Sequence, residues 1–359
     1  MTLLVNLSFL LPQPTGISVY AANIVPYLAP LKPTLLTAQP QPGFDCCPIP
    51  ANLTPAQGSR GHLNRLYWTQ TQLPRLYRQH QGHLLFSPIP EAPLGADCRT
   101  VVMVHDLIPL RFPNWKSPLT PYFRWYIPAV LRQAEHIVCN SQATAQDMVD
   151  FWQVPARKIT PILLGYNQDH FRPPSTPLPP TPCPYFLYLG RPDPHKNVAR
   201  LIAAFAQLPE GQDCELLLAG PEDPRYTPRL RAQTEALGIS AKVKWLNYVP
   251  YDQLPQLMHQ ATALVFPSLW EGFGFPVLEA MACGTAVITS QISSLPEVVG
   301  DAGLLVNPYD ISALAEAMQA LLQNSSLRQA LIQKGLVRAS QLTWHQTGQQ
   351  TRELLQHFL

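Results

Sequence analysis

PSLWEGFGFPVLEAMACGTAVITSQISSL, residues 267–295, decides how the chain is read. It overlaps an apolar run, ALVFPS (Ala263–Ser268), with the length and content of a buried strand. Glu271, Gly272, Phe273 and Gly274 form a loop after it. Pro276 stands where a helix begins, because its fixed φ suits the first turn and its missing N–H is not needed there. Glu279 is placed in that first turn, and AVITS (Ala286–Ser290), after Gly284, reads as the next strand. Strand, glycine-rich loop, helix and strand make one βαβ unit. The free N–H groups and the dipole at such a helix start attract anions. Two carboxylates there admit two readings. Either they bind the hydroxyls of a sugar nucleotide whose phosphates lie on the helix end, or Glu279 is a capping acid and Glu271 a solvated loop acid.

Upstream, the same pattern restarts at YFLYLG (Tyr185–Gly190), read as a strand, followed by RPDPHKN and a helix from about Val198. Arg191 comes directly after that strand and Lys196 starts the next helix, so both project from the carboxyl edge of a sheet. Arg offers a rigid fork to phosphate oxygens and Lys a mobile point charge. Two cations at one strand end are costly together unless an anion is expected. The competing reading is ordinary loop charge on the surface. No Asp-x-Asp triplet occurs in the chain. A diphosphate site without that metal-holding pattern must neutralise its charge with side chains and helix ends.

The first half carries its own run of strands. TLLVNLSFL (Thr2–Leu10) reads as a buried strand, followed by a loop with Gly16 and a helix over roughly Ser18–Leu28, with Ser18 as N-cap. Residues 62–79 read as a helix broken at Pro74, with Arg65, Arg75 and Arg78 among apolar positions. TVVMVHDL (Thr100–Leu107) ends in His105-Asp106, and a parallel strand delivers its last residues to the ligand-binding edge. A strand-end His beside an Asp could do acid–base, orienting or plain structural work. Pro118–His136 reads as one aromatic-rich helix, and Gln142–Phe151 as a helix capped by Ser141. The proline-dense PPSTPLPPTPCP (Pro173–Pro184) reads as a stiff linker between domains.

The bulk numbers agree with two α/β domains. The chain has 359 residues, 46% hydrophobic and 13% charged, enough for two sizeable cores and too apolar for a disordered segment. A net charge of +2 argues against a dedicated nucleic-acid binder. Residues 1–172 hold 13 Lys+Arg and 8 Asp+Glu, a mildly basic half that fits an anionic partner, a membrane surface or ordinary variation. The seven cysteines show no C-x-x-C pair, which fits reduced thiols in a cytoplasm.

GRPDPHK (Gly190–Lys196) together with EGFGFPVLE (Glu271–Glu279) resembles the retaining GT-B-fold glycosyltransferases of family 4, the mannosyltransferase-like glycosyl transferases of group 1. ACGTAVITS (Ala282–Ser290) and LPEVVGDAGLLVNP (Leu295–Pro308) extend the match, and Gly16, His105-Asp106 and GYNQDHFRP (Gly165–Pro173) fit it in the first half. The resemblance implies an α/β chain of two Rossmann-like, doubly wound parallel-sheet domains facing a cleft. Residues 1–172 would form the acceptor-side domain, 173–184 the linker and 185–340 the nucleotide-sugar domain. Residues 341–359 would form a helix packing back on the first. Arg191 and Lys196 would hold the donor diphosphate, Glu279 the ribose hydroxyls, and Glu271 the transferred sugar. The backbone of Gly272, Phe273, Gly274 and Phe275 would assist Glu271. Gly16 would admit backbone amides to the diphosphate, and His105, beside Asp106, would reach the sugar or the reacting centre.

By the same resemblance, transfer would retain the anomeric configuration without metal or cofactor. The donor would be GDP-mannose first and UDP-glucose second. The acceptor would be a glycan or lipid-linked glycan, handled in the cytoplasm, with peripheral contact at the inner membrane face through Arg60 to Arg78 and Phe123 to Tyr126. The alternatives are a nucleotide-sugar epimerase or a sugar phosphorylase on the same fold, and a non-catalytic nucleotide-sugar-binding protein. An NAD-dependent oxidoreductase is disfavoured because no G-x-G-x-x-G follows the first strand.

Overall fold

The computed structural model describes residues 1–11, 16–113, 119–176, 178–179, 181–209 and 213–359. The chain forms two compact units, Met1–Gly165 with Trp344–Leu359, and Tyr166–Thr343. The first contains seven strands: β1 (Leu3–Asn6), β2 (Thr34–Thr37), β3 (Asp45–Pro48), β4 (Leu84–Ser87), β5 (Thr100–Val104), β6 (His136–Cys139) and β7 (Ile159–Pro161). They pair in parallel in the order β3-β2-β1-β4-β5-β6-β7. The second contains β8 (Tyr185–Leu189), β9 (Glu215–Ala219), β10 (Val243–Asn247), β11 (Ala263–Phe266), β12 (Val287–Ser290) and β13 (Leu304–Val306). These also pair in parallel, in the order β10-β9-β8-β11-β12-β13.

Both orders are Rossmann-like. In such a sheet the strand order reverses at one point, and ligands bind outside the carboxyl ends of the two strands flanking it. The reversal lies between β1 and β4 in the first unit and between β8 and β11 in the second. The strands nearest it are buried on both faces, which parallel strands covered by helices require. Leu3, Leu4, Val5, Leu84, Leu85, Leu187, Val265 and Ile288 are all fully buried.

Several local expectations need correction. The first helix runs Ile17–Ile24 and is preceded by Gly16 with φ 51°, so Ser18 lies inside it, buried, and is not the cap. The loop before Gly16, residues 12–15, lies outside the described residues. β3 (DCCP) carries no apolar alternation; backbone pairing to β2 and a Thr34–Asp45 side-chain hydrogen bond of 3.1 Å hold it. The single helix expected over Pro118–His136 is present from Leu119 to Gln133, with a π-helical turn at Tyr122–Tyr126 inside it, and His136 opens β6 instead. Tyr122 and Tyr126 stack there with centroids 5.4 Å apart. Pro118 itself is outside the described residues. Ser141 does cap its helix, accepting from the Thr144 N–H at 3.1 Å.

The first compact unit ends at Gly165, before the proline-dense stretch, and the second begins at Tyr166. The reason is visible in the contacts of that stretch. The His170 ring stacks on Tyr251 with centroids 3.9 Å apart, and Gln260 Nε2 donates to the Pro179 carbonyl at 3.0 Å. Residues 166–184 thus lean on the second sheet's helices; Pro177 and Pro180 lie outside the described residues. The last helix, Trp344–Phe358, packs in the first unit. Thr347 Oγ1 donates to the Leu163 carbonyl at 2.8 Å, and any side chain at Gly348 would run into the Tyr27 ring. All seven cysteines are free thiols.

Candidate active site

In the second unit the chain leaving β8 and the chain leaving β11 are tied together by backbone. The His195 carbonyl accepts from the Leu269 N–H at 2.7 Å. Asn197, held at φ 63°, donates through Nδ2 to the carbonyls of Pro267 at 3.0 Å and Pro308 at 2.7 Å. The Tyr188 hydroxyl donates to the Arg191 carbonyl at 2.9 Å and pins the other side of the loop. These ties bring Lys196 onto Glu271. Its ammonium donates to both carboxylate oxygens, at 2.7 and 2.9 Å, and lies 5.4 Å from the centroid of the Phe266 ring. Glu271 is buried and Lys196 largely so. A buried pair of this kind is held by its geometry, because neither charge is tolerated there alone.

The EGFGF loop is fixed from behind. Ser294 Oγ reaches the carbonyls of Glu271, at 3.1 Å, and Phe273, at 2.8 Å, while Ser293 Oγ accepts from the Glu271 N–H at 3.3 Å. Gly272 and Gly274 are buried, and the Phe273 and Phe275 rings meet edge to face at 5.3 Å. Gly274 has φ 110°, and a Cβ there would stand 2.7 Å from Leu295 Cδ2, so only glycine fits this turn into the helix. The helix runs Phe275–Ala282, with no acid in its first turn. Because the helix starts one residue earlier than Pro276, Glu279 lies just past the first turn and is not a capping acid. It is half-buried, and its side chain makes no hydrogen bond or ion pair among the described residues. Burial pushes its pKa up to about 8. A half-buried carboxyl with no hydrogen bond or ion pair among the described residues, on the helix that leaves this loop, can accept from hydroxyl donors.

Arg191 does not join Lys196 on a common partner. Its guanidinium is 59% exposed and reaches Asp223 at 3.4 Å and Asp193 at 3.5 Å. Asp223, in the loop after β9, is gripped by Arg225 at 2.9 and 2.6 Å, and that pairing holds its carboxyl well below the usual carboxylate range. Asp193, Asp223, Arg225, Ser293 and Ser294 were not singled out in the sequence. The available signal was position: Asp193 lies within GRPDPHK, Asp223 follows strand β9, and the serines follow β12.

In the first unit His105 follows β5. Its Nε2 lies 2.9 Å from the Pro88 carbonyl, which only accepts, so Nε2 carries the proton and Nδ1 the lone pair. Burial lowers its pKa to about 4, and the Tyr20 ring meets it edge to face at 5.2 Å. Asp106 Oδ1 accepts from the Ile108 N–H at 3.0 Å, a local turn contact. Gly16 has open space where a side chain would go, and its positive φ is what demands glycine. Among the described residues, no group of three or more His, Cys, Asp or Glu is placed to hold a metal ion. No helix there is long and apolar enough to cross a membrane.

Residues 175–338 match the family described as glycosyl transferases group 1, and residues 14–170 the one described as glycosyltransferase family 4. The O-antigen chain mannosyltransferase B of Escherichia coli is 32% identical over 272 residues, 70% of this chain and 69% of that one. The chain belongs to glycosyltransferase family 4. A second family member, the serotype-specific mannosyltransferase WbdA of Escherichia coli, is 30% identical over 70% of this chain, and the match spans 32% of WbdA. Anabaena HepE, solved in complex with UDP and glucose, superposes with a TM-score of 0.73 over 99% of this chain and 100% of that one. At 19% identity that likeness establishes the GT-B fold alone. As a family 4 member, the chain is a glycosyltransferase built on two parallel-sheet, Rossmann-like units.

Proposed function

We propose that this chain transfers a hexose, mannose first, from a nucleoside diphosphate sugar to a glycan or lipid-linked glycan, with retention and without a metal. The observation that carries the reading is the Lys196–Glu271 pair at the β8/β11 reversal, with the unpartnered Glu279 on the helix leaving the same loop. Lys196 and the exposed Arg191 supply positive charge to the diphosphate. Glu279 accepts the ribose hydroxyls, and Glu271 orients the sugar while holding Lys196. Mannose is favoured by the mannosyltransferase names of the relatives, and UDP-glucose is second on the strength of HepE.

The bond from the sugar's anomeric carbon to the leaving phosphate oxygen breaks as an oxocarbenium-like centre forms. The acceptor oxygen bonds to the same face, and its proton passes to the departing phosphate. Each charge-stabilising contact in such a step is worth about 2.7–4 kcal/mol. A covalent carboxylate route would need a free acid under the anomeric carbon. Glu271 is instead committed to Lys196 through both oxygens, which supports same-face attack.

A thermal-shift panel of GDP-mannose, UDP-glucose, GDP and UDP reads base and sugar together, and proton NMR of the product reads its anomeric configuration. Stabilisation by GDP-mannose alone and an axial product are expected from an axial donor. Stabilisation by UDP-glucose alone replaces the donor assignment, and an inverted product refutes retention. A sugar adduct trapped on Glu271 in mass spectra would refute same-face attack. Epimerised or phosphorolysed donor, with no transfer to any glycan, would favour the other activities of this fold.

A further inference from the structure

The helix that follows Lys196 carries, in its first turn, a cation that the helix dipole disfavours. That helix runs Val198–Phe205, has no acid in its first turn, and has Arg200 as its third residue. A positive charge near a helix N-terminus opposes the dipole. A carboxylate partner would offset this, yet among the described residues Arg200 forms no ion pair. Its half-buried guanidinium is committed elsewhere. Nη1 donates to Asn197 Oδ1 at 2.9 Å, and the group lies over the Tyr309 ring, 5.2 Å from the centroid.

What the guanidinium does follows from the amide it holds. Asn197 is buried, and its φ of 63° is a left-handed position that asparagine tolerates. Its Nδ2 donates to the carbonyls of Pro267, directly after β11, and Pro308, just beyond β13. A carbonyl only accepts and a guanidinium only donates, so one orientation of the amide satisfies all three partners. Flipped by half a turn, the amide would set its oxygen against two carbonyls and its N–H groups against a cation. Without the guanidinium, Oδ1 is a buried acceptor with no donor. The amide must then turn toward water and release a carbonyl to recover one.

Tyr309 keeps the guanidinium in place. It follows Pro308 in a turn closed on itself: the Tyr309 N–H donates to Asn307 Oδ1 at 3.1 Å, and the Asp310 N–H to the Asn307 carbonyl at 3.0 Å. One turn after β13 thus presents the Pro308 carbonyl to Asn197 and the Tyr309 ring to Arg200. We propose that Arg200 is a positioning residue of the donor site. It sets the Asn197 amide, the amide ties together the loops leaving β8, β11 and β13, and Lys196, the residue before Asn197, is thereby kept on Glu271. The inference rests on the reading of Lys196 as a diphosphate contact. It adds a residue that acts on the diphosphate only through Asn197.

Calorimetric titration of the full-length protein with GDP and with UDP tests this without an acceptor. Lys196→Ala should weaken binding of whichever diphosphate the wild type binds. Arg200→Leu keeps an apolar stem and removes the donor groups. It should weaken the same binding about five- to tenfold, within the range of coupling between members of one network. Arg200→Lys restores one donor and should stay within about threefold of wild type. Asn197→Gly keeps the left-handed backbone and removes the amide. In that background Arg200→Leu should change affinity by less than about twofold, because its effect passes through the amide. Equal losses in both backgrounds would show a cation acting on the diphosphate at a distance and overturn the inference. So would wild-type affinity in Arg200→Leu, or a loss in Arg200→Lys as large as in Arg200→Leu. Where circular dichroism shows Asn197→Gly unfolded, the comparison of leucine with lysine at position 200 decides alone. If neither diphosphate binds the wild type, or Lys196→Ala binds as well as wild type, the donor reading fails and this inference with it. A loss in Lys196→Ala without one in Arg200→Leu overturns this inference alone.

Discussion

The carboxyl edges of the two sheets have the same architecture and opposite chemistry. Each sheet reverses its strand order once, and each delivers loop residues to the edge beside that point. In the second unit those loops carry ions: Lys196 on Glu271, and Arg191 with Asp193, Asp223 and Arg225. In the first, the edge residue His105 is neutral and donates to a backbone carbonyl, while the nearby Arg65–Glu91 pair is turned inward and spent. Topology therefore supplies the place for a ligand, and the loop residues decide which ligand. The second edge is built from ion pairs, and the first from His105 and Asp106 turned onto backbone groups.

The sharpest way to break the contrast is Lys196→Ala. If the second edge acts by charge, transfer should fall by about 10²–10³-fold, the usual loss for one transition-state charge contact. The same change strands Glu271 as a buried, unpaired carboxylate, which typically costs about 3–5 kcal/mol of stability. Lys196→Ala with Glu271→Gln should recover most of the melting temperature and none of the rate. Recovery of both in steady-state assays would make the pair merely structural.

Glu279→Gln should weaken donor binding by about 10- to 100-fold, the range for hydrogen bonds to a charged group. The wild-type pH dependence has a definite sign. Burial raises the carboxyl's pKa to about 8, and ribose hydroxyls donate more strongly to its ionised form than to the neutral acid. Donor binding therefore releases a proton, and affinity should rise between about pH 6 and pH 8 and then level off. Glu279→Gln should flatten that rise in calorimetric titrations; an unchanged slope would remove Glu279 from the ribose site.

The alternation of apolar runs with helices made both sheets legible, because a buried parallel strand cannot be written without such runs. Gly190–Lys196 and Glu271–Glu279 were legible for a second reason. Residues at strand ends have few structural duties, so charges there stand out. Less legible were partnerships made across loops. Nothing in the spelling of GRPDPHKN says that Asn197 will bridge Pro267 and Pro308, yet this bridge is what sets Lys196 on Glu271. Nor could spacing place Glu279 just past the first turn, since the helix starts at Phe275, one residue before the Pro276 that marks it in the sequence. β3 was invisible because an edge strand needs pairing more than hydrophobicity.

The smallest effects belong to His105, and they sharpen the comparison most on stability. Its folded pKa of about 4 lies below the ordinary 6.5, so the fold favours the neutral ring. That contribution is fully present above pH 6.5 and is lost as pH falls toward 4. Glu279 behaves oppositely: its pKa rises from 4.5 to about 8, so its contribution is present below 4.5 and lost as pH climbs through 8. His105→Asn should therefore flatten the acid limb of the melting-temperature profile, and Glu279→Gln the alkaline limb. On rate, His105→Asn should cost only about 2- to 10-fold, the worth of one neutral hydrogen bond, and leave the pH–rate profile between 5.5 and 8 in place. A loss beyond about 10²-fold with disappearance of a limb would show a proton in flight at His105. The first edge would then be as chemical as the second.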